Sequence, residues 1–196
     1  MTHAQQLQQA FSSFFPAPLE AWEQFAAACE LVHFEKDAIM KPAHAAERYF
    51  YFILEGSVGL FLWKENNYVC LDFAFEQQFC ADYMSLLTKQ PNPLQLMALE
   101  KSSFLRMPVA EYDALTRLPM GQLIRLVAAE MSFIDKQQQQ IELLTMPARV
   151  RYEALLQKFP NIQNRIAQHH LASYLGITPQ SLSRIRREVG GKGSAK

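Results

Sequence analysis

The residues of this chain best suited to chemistry lie toward its carboxyl end, in QHHLASYLGITPQSLSRIRR (168–187). Thr178 followed by Pro179 is a helix start, with a hydroxyl at the N-cap and a proline at the first position, where its missing N–H costs nothing. On the helix that follows, Thr178, Gln180, Ser181, Arg184 and Arg187 fall together on the outward face. The chemistry these side chains offer is recognition rather than bond-making. A guanidinium at Arg184 matches the two acceptors on the major-groove edge of guanine, and the amide of Gln180 suits adenine. Thr178, Ser181 and Arg187 suit phosphate oxygens. Arg186 lies off that face and adds positive charge. His169 and His170 open the preceding helix, where they either approach a nucleic-acid backbone or, in the plainer reading, are solvated.

The remaining residues of this stretch must position that face. Leu171, Leu175, Ile177, Leu182 and Ile185 fall where side chains turn toward a shared core, Ala172 is small where two helices approach, and Gly176 supplies a turn with positive φ. Two short helices at a steep crossing form a helix-turn-helix, whose second helix enters the major groove of duplex DNA. An αα-hairpin with a basic surface is the alternative. Charge favours the first reading. From residue 147 onward nine Lys and Arg face two Asp and Glu, whereas the rest of the chain carries ten against seventeen. A net charge of zero thus hides a basic tail of +7 on an acidic body of −7, and the tail is the part suited to a polyanion.

The elements upstream form a larger scaffold. A chain of 196 residues with 49% hydrophobic and 19% charged residues is a globular protein of one large domain or two small ones. Up to residue 32, Leu7, Phe11, Phe14 and Phe15, then Leu19, Trp22, Phe25 and Ala26, keep helical spacing, and Pro16 and Pro18 divide them into two short helices. Over residues 34–108 the runs YFYFILEG, SVGLFLW, YVCLDFAF, LQLMALE and SFLRMP predict antiparallel strands of a sandwich or barrel. Gly56 predicts a tight turn and KENN (64–67) a hairpin tip, since Asn tolerates left-handed geometry.

A long helix is predicted from near Pro119 to Pro147. Met120, Ile124, Val127, Met131, Ile134, Gln138 and Ile141 recur at alternating spacings of four and three, a coiled-coil seam. The amide of Gln138 could set register between two copies of the helix; alternatively this face packs on the chain's own β domain. Further helices are predicted at 148–158, roughly 165–175 and 179–187, with VGGKGSAK (189–196) as a frayed tail.

The three cysteines, Cys29, Cys70 and Cys80, have neither metal-ligand spacing nor the even count of a disulfide framework, so buried apolar roles in a reducing compartment are expected. The opening MTHAQQLQQAF lacks a signal-peptide pattern. The most apolar stretch, 49–63, is interrupted by Glu55 and Gly56 and is shorter than the ~20 residues a bilayer requires. A cytoplasmic location without a membrane partner is the expectation.

Taken together, FILEGSV (52–58), the long helix and LASYLGITPQSLSRIRR (171–187) make nearly the whole chain resemble the Crp/Fnr superfamily of bacterial transcription regulators. The resemblance implies an α+β fold: an N-terminal double-stranded β-helix or jelly-roll of the cyclic-nucleotide-binding-like type over 1–115, a dimerisation helix over 116–146 and a helix-turn-helix domain over 147–196. It also implies a homodimer on double-stranded DNA with two-fold related half-sites. The chain departs from many members in stopping soon after the recognition helix, where they carry a β-hairpin wing.

Members that bind cyclic AMP have a cassette that starts Phe-Gly-Glu and ends Arg-Ser-Ala. The matching stretch here is FCADYMSLLTKQPNPLQ (79–95). Phe79 matches, Cys80 replaces the glycine, Asp82 is an offset acid, and Asn92 and Pro93 stand at the Arg and Ser positions. Pro93 also removes an N–H donor. Losing the charged partner of a cyclic phosphate costs ~1.5–3 kcal/mol or more, so binding of cyclic AMP in the usual way is not expected. Phe79, Cys80, Asp82 and Asn92 remain the candidate pocket for an unidentified small-molecule effector. Lys89 could return a charge to it or is a solvated surface lysine.

No cofactor is expected. An iron–sulfur cluster would call for about four cysteines, and His33 and His44 are isolated as haem ligands. An enzyme of the cupin type needs paired histidines and a carboxylate on adjacent strands, yet no histidine lies between His44 and His169, so no catalytic or metal residues are assigned. A third class is an interaction module whose helix-turn-helix has lost its affinity for DNA.

Overall fold

The protein's structure, a computed structural model, describes residues 1–65 and 67–190. Two short helices come first, α1 (His3–Phe11) and α2 (Leu19–Ala27). Thr2 and Gln5 form a reciprocal capping box at the start of α1. The buried faces of the two helices meet at Leu7, Phe11 and Trp22.

Eight strands follow, all paired antiparallel, in two four-stranded sheets. They are β1 (Glu30–Phe34), β2 (Ile39–Lys41), β3 (Tyr49–Glu55), β4 (Val58–Lys64), β5 (Asn67–Ala74), β6 (Phe79–Cys80), β7 (Leu94–Ala98) and β8 (Ser102–Pro108). The first sheet runs β1-β8-β3-β6 and the second β2-β7-β4-β5. The five aromatic and β-branched runs became β3, β4, β5, β7 and β8. Strand β1 starts at Glu30, four residues before the sequence predicts; it is an edge strand with mostly exposed side chains, so its composition lacks a core-facing alternation. The brief β2 and β6, with the helices α3 (Tyr83–Thr88) and α4 (Val109–Leu115), are too short for a periodic signature.

Gly56 turns between β3 and β4 with φ +96°, and a Cβ there would meet Ser102 Oγ at 2.0 Å. At the β4–β5 tip Glu65 takes left-handed geometry (φ 49°), and Asn67 pairs with Lys64. Asn66 lies outside the described residues. Opposite Leu60 and Phe61 the register skips Leu71, a bulge that bends β5.

The long helix α5 (Pro119–Thr145) begins at a proline and stops before Pro147, and none of its residues is fully buried. Its first half turns Met120, Ile124, Val127 and Ala128 onto α1, α2, Phe52 and Leu105. In its second half Phe133, Ile134 and Ile141 are more than half exposed. The seven-residue repeat therefore serves two surfaces: one on the chain's own body and one open. Gln138 lies in the open half and donates to Glu142 at 2.9 Å.

Four helices complete the chain: α6 (Ala148–Lys158), α7 (Ile162–Arg165), α8 (Gln168–Tyr174) and α9 (Pro179–Gly190). Val189 and Gly190, expected in a frayed tail, continue α9; residues 191–196 lie outside the described residues. Tyr152, Leu155, Ile162, Leu171, Leu182 and Ile185 form one core that also takes in Phe61, Cys70 and Phe73 of the second sheet and Phe75 just beyond β5. The sheet's edge strand β5 is covered from two sides. Ser173 Oγ accepts the Cys70 N–H at 2.8 Å, Gln139 Nε2 donates to Leu71 O at 2.9 Å, and Lys136 pairs with Asp72. An unpaired strand edge is thereby closed. Among the described residues no helix is long and apolar enough to cross a membrane.

Candidate nucleic-acid interface and sensor cassette

Helices α8 and α9 are locked together by the residues the sequence singles out. Leu171, Ala172, Leu175 and Leu182 are buried between them. Gly176 takes φ +66°, and the Ile177 N–H closes the turn on Ala172 O at 3.0 Å. Thr178 Oγ1 accepts the Ser181 N–H at 3.1 Å and lies 3.0 Å from Ser181 Oγ. Its hydroxyl thus serves as the N-cap of α9, and Ser181 is half-buried beside it.

The outward face of α9 is open. Gln180, Arg184 and Arg187 are exposed; the Arg184 side chain is 71% exposed, and Glu188 approaches it only to 3.9 Å. Arg186 turns back beside the buried Tyr152. Burial raises that phenol's pKa, and the neighbouring guanidinium partly lowers it again. Next to α9, His169 is exposed as the plainer reading expects, but His170 is half-buried. Its ring lies 4.8 Å from that of Phe61, and burial, with His169 adjacent, lowers its pKa to about 4. His170 therefore behaves as a neutral aromatic filler between α8 and β4.

The cassette around α3 is closed in on itself. Phe79 joins an aromatic cluster with Phe50 and Phe52, at centroid distances of 5.4 and 5.1 Å. Cys80 pairs with Tyr51 across β3 and β6, and burial pushes its thiol pKa up. Asp82 is fully buried and caps α3, accepting the Ser85 N–H at 3.0 Å. Its other oxygen meets Lys41 Nζ at 2.7 Å. Asn92 bridges the pair, donating to Asp82 Oδ1 at 3.0 Å and accepting from Lys41 at 2.9 Å. Glu47 Oε2 accepts the Asp82 N–H at 3.0 Å, and the Glu47 N–H donates to Ser85 Oγ at 2.9 Å. Burial raises the Glu47 pKa, opposed by the backbone N–H groups of Asp82, Tyr49 and Arg48.

Lys41 (2% exposed) and Glu47 (4%) are members of this buried network that sequence reasoning missed. The readable signal was Asp82 three positions before Ser85, an N-cap pattern; Lys41 carries no local signal at all. Lys89 stays at the surface, paired with Asp113 at 2.8 Å. Between the β-roll and α5 lies a cavity of about 700 Å³, bordered by Leu60, Phe79, Cys80, Asp82, Leu96 and Ile124. Among the described residues no group of three His, Cys, Asp or Glu side chains could hold a metal ion.

An antiparallel roll with an internal cassette, a long helix along its flank and a terminal helix-turn-helix define the Crp/Fnr-type fold, and the chain has that fold. No protein-family model and no curated protein matches the sequence. Among solved structures it is similar to the c-di-GMP-responsive global regulator CLP of Xanthomonas campestris, at 12% identity and TM-score 0.69, over 90% of this chain and 93% of that one. It is similar to FixK2 of Bradyrhizobium japonicum at 14% identity and TM-score 0.72, over 84% and 86%. The catabolite activator protein of Thermus thermophilus matches at 20% identity and TM-score 0.53, over 92% and 87%.

Proposed function

We propose that the chain is a sequence-specific, DNA-binding transcription regulator of the Crp/Fnr type that acts as a homodimer and catalyses no reaction. The observation that carries this reading is the open face of α9, where Gln180, Arg184 and Arg187 stand in solvent at the end of a basic segment. Arg184 and Gln180 read bases; Ser181 and Arg187 contact phosphates, together with the α9 start at Thr178. The exposed Leu126, Phe133, Ile134, Ile141 and Leu144 of α5 pair with the same residues of a second copy, which presents two α9 helices to one duplex. Selection of binding sites from random duplexes tests DNA binding, symmetry and dimer state together. A two-fold symmetric site whose affinity falls steeply with salt is the expected result; no enrichment above the starting pool overturns the reading.

The cassette does not take cyclic AMP in the usual way: Asn92 and Pro93 stand at the Arg and Ser positions of the cassette, and Asp82, Lys41 and Asn92 already bond one another. An effector of other chemistry has the cavity beside Phe79, Cys80 and Asp82, with Asn92 behind it in the ion pair. Calorimetric titration with cyclic AMP gives no heat of binding at micromolar concentration; a micromolar isotherm reverses that conclusion.

A further inference from the structure

Arg165, the last residue of α7, stands where three loops of the β-roll converge. Its Nε donates to Glu100 Oε1 at 3.1 Å and its Nη1 to Glu76 Oε2 at 3.0 Å. Nη2 donates to Glu76 Oε1 and Glu100 Oε1, both at 2.6 Å, and to Gly56 O at 3.2 Å. The guanidinium carbon lies 5.0 Å from the centre of the Phe75 ring. Gly56 belongs to the β3–β4 turn, Glu76 to the β5–β6 loop and Glu100 to the β7–β8 loop. The two carboxylates are themselves fixed: Glu76 Oε1 accepts the Gly56 N–H at 2.9 Å, and Glu100 Oε1 accepts the Ser57 hydroxyl at 2.7 Å. Side-chain exposures of 29% for Arg165, 38% for Glu76 and 31% for Glu100 set this network apart from an isolated surface pair. A planar fork that engages two carboxylates holds orientation as well as charge.

The other contacts between the roll and the carboxyl-terminal helices reinforce the same pose. Phe73 lies 5.1 Å from Tyr174, Phe75 lies 4.6 Å from Phe159, and Ser173 takes the Cys70 N–H. These contacts are made by α6–α8 or the segments beside them, while Gln180, Arg184 and Arg187 of α9 remain exposed. The docked pose therefore leaves the reading face free.

We infer that Arg165 is a positioning residue for DNA recognition: by clamping Glu76 and Glu100 it fixes where α9 stands relative to α5. Resting on the proposed function, the inference goes further by saying what sets the distance between the two reading helices of a dimer. With the clamp closed, the half-sites must lie at one spacing, because each base pair added between them rotates and displaces one half-site relative to the other. With the clamp open, the helix-turn-helix units swing and tolerate several spacings.

The test uses the full chain and the duplex selected above, with one or two base pairs inserted between half-sites. Wild type loses affinity on the order of tenfold or more on insertion. Arg165→Ala and the double variant Glu76→Gln with Glu100→Gln lose only about threefold, with single half-site binding unchanged, and Arg165→Lys, which keeps charge but not the fork, falls between. A second readout needs no DNA: amide exchange at Cys70, measured by NMR, accelerates in Arg165→Ala as α8 lifts from β5. If wild type binds the selected duplex and Arg165→Ala keeps the wild-type spacing preference or Cys70 protection, the positioning role is overturned while the regulator reading stands. A wild-type chain that binds no duplex overturns the regulator reading first.

Discussion

Around α3, Lys41, Glu47, Asp82 and Ser85 are buried and, with the half-buried Asn92, bond one another, whereas on α9 Gln180, Arg184 and Arg187 are exposed and Glu188 comes no nearer Arg184 than 3.9 Å. Both clusters are built from the same kinds of side chain. The difference lies in what burial demands. A charge taken out of water must be paired within the protein, so the cassette spends its polar groups on its own stability. An exposed guanidinium carries no such demand and remains available to a partner. A polar residue near a family's ligand site is thus no sign of ligand binding until its own hydrogen bonds are accounted for.

The sharpest way to break this contrast is Lys41→Met. It leaves Asp82 buried without its cation, and stability should fall by about 3–5 kcal/mol. Urea unfolding reads the loss, and adding Asp82→Asn should return part of it. A fall of about 1 kcal/mol or less, the size of an exposed ion pair, would erase the distinction between the clusters. Arg184→Ala should do the reverse. Its unfolding midpoint stays at the wild-type value, while gel shifts across base variants of the selected site lose about 1–3 kcal/mol of discrimination at one position. Arg187→Ala should weaken all sequences alike and reduce the slope of log affinity against log salt by about 1.

The smallest effect belongs to His170, intermediate between the clusters. Its pKa is lowered from 6.5 to about 4, so between those values the unfolded chain binds a proton that the folded chain does not. Stability should therefore decline as pH falls from 6.5 toward 4. The decline should be shallower in His170→Gln, as read by melting temperature; equal slopes would place His170 in solvent.

The exposed face of α9 was legible because its determinants are local. Ala172, Gly176, Thr178 and Pro179 fix the turn, and every residue needed lies within twenty positions. The cassette was not, because Lys41 and Asp82 meet across the β-roll from distant points in the chain and no spacing rule joins them. What Asp82 does there, capping α3, lay in the structure and not in the match to the cassette. The repeat in α5 was visible, but periodicity reports an apolar face and not what covers it; Ile124 meets the chain's own helices while Ile134 stays open. Arg165 gave no signal either, since Glu76 and Glu100 reach it only after three loops have closed.

Strand β5 has one further consequence. Its amide at Cys70 and ring of Phe73, with the ring of Phe61 on neighbouring β4, are covered by residues more than eighty positions downstream. A fragment ending at residue 146 would present a sticky ribbon to its own copies. It should emerge from size-exclusion chromatography as heterogeneous assemblies, while the intact chain gives one discrete species. The helix-turn-helix half is thus no detachable cartridge: it closes the edge of the sheet it packs against, and removing it would strip that sheet of a lid.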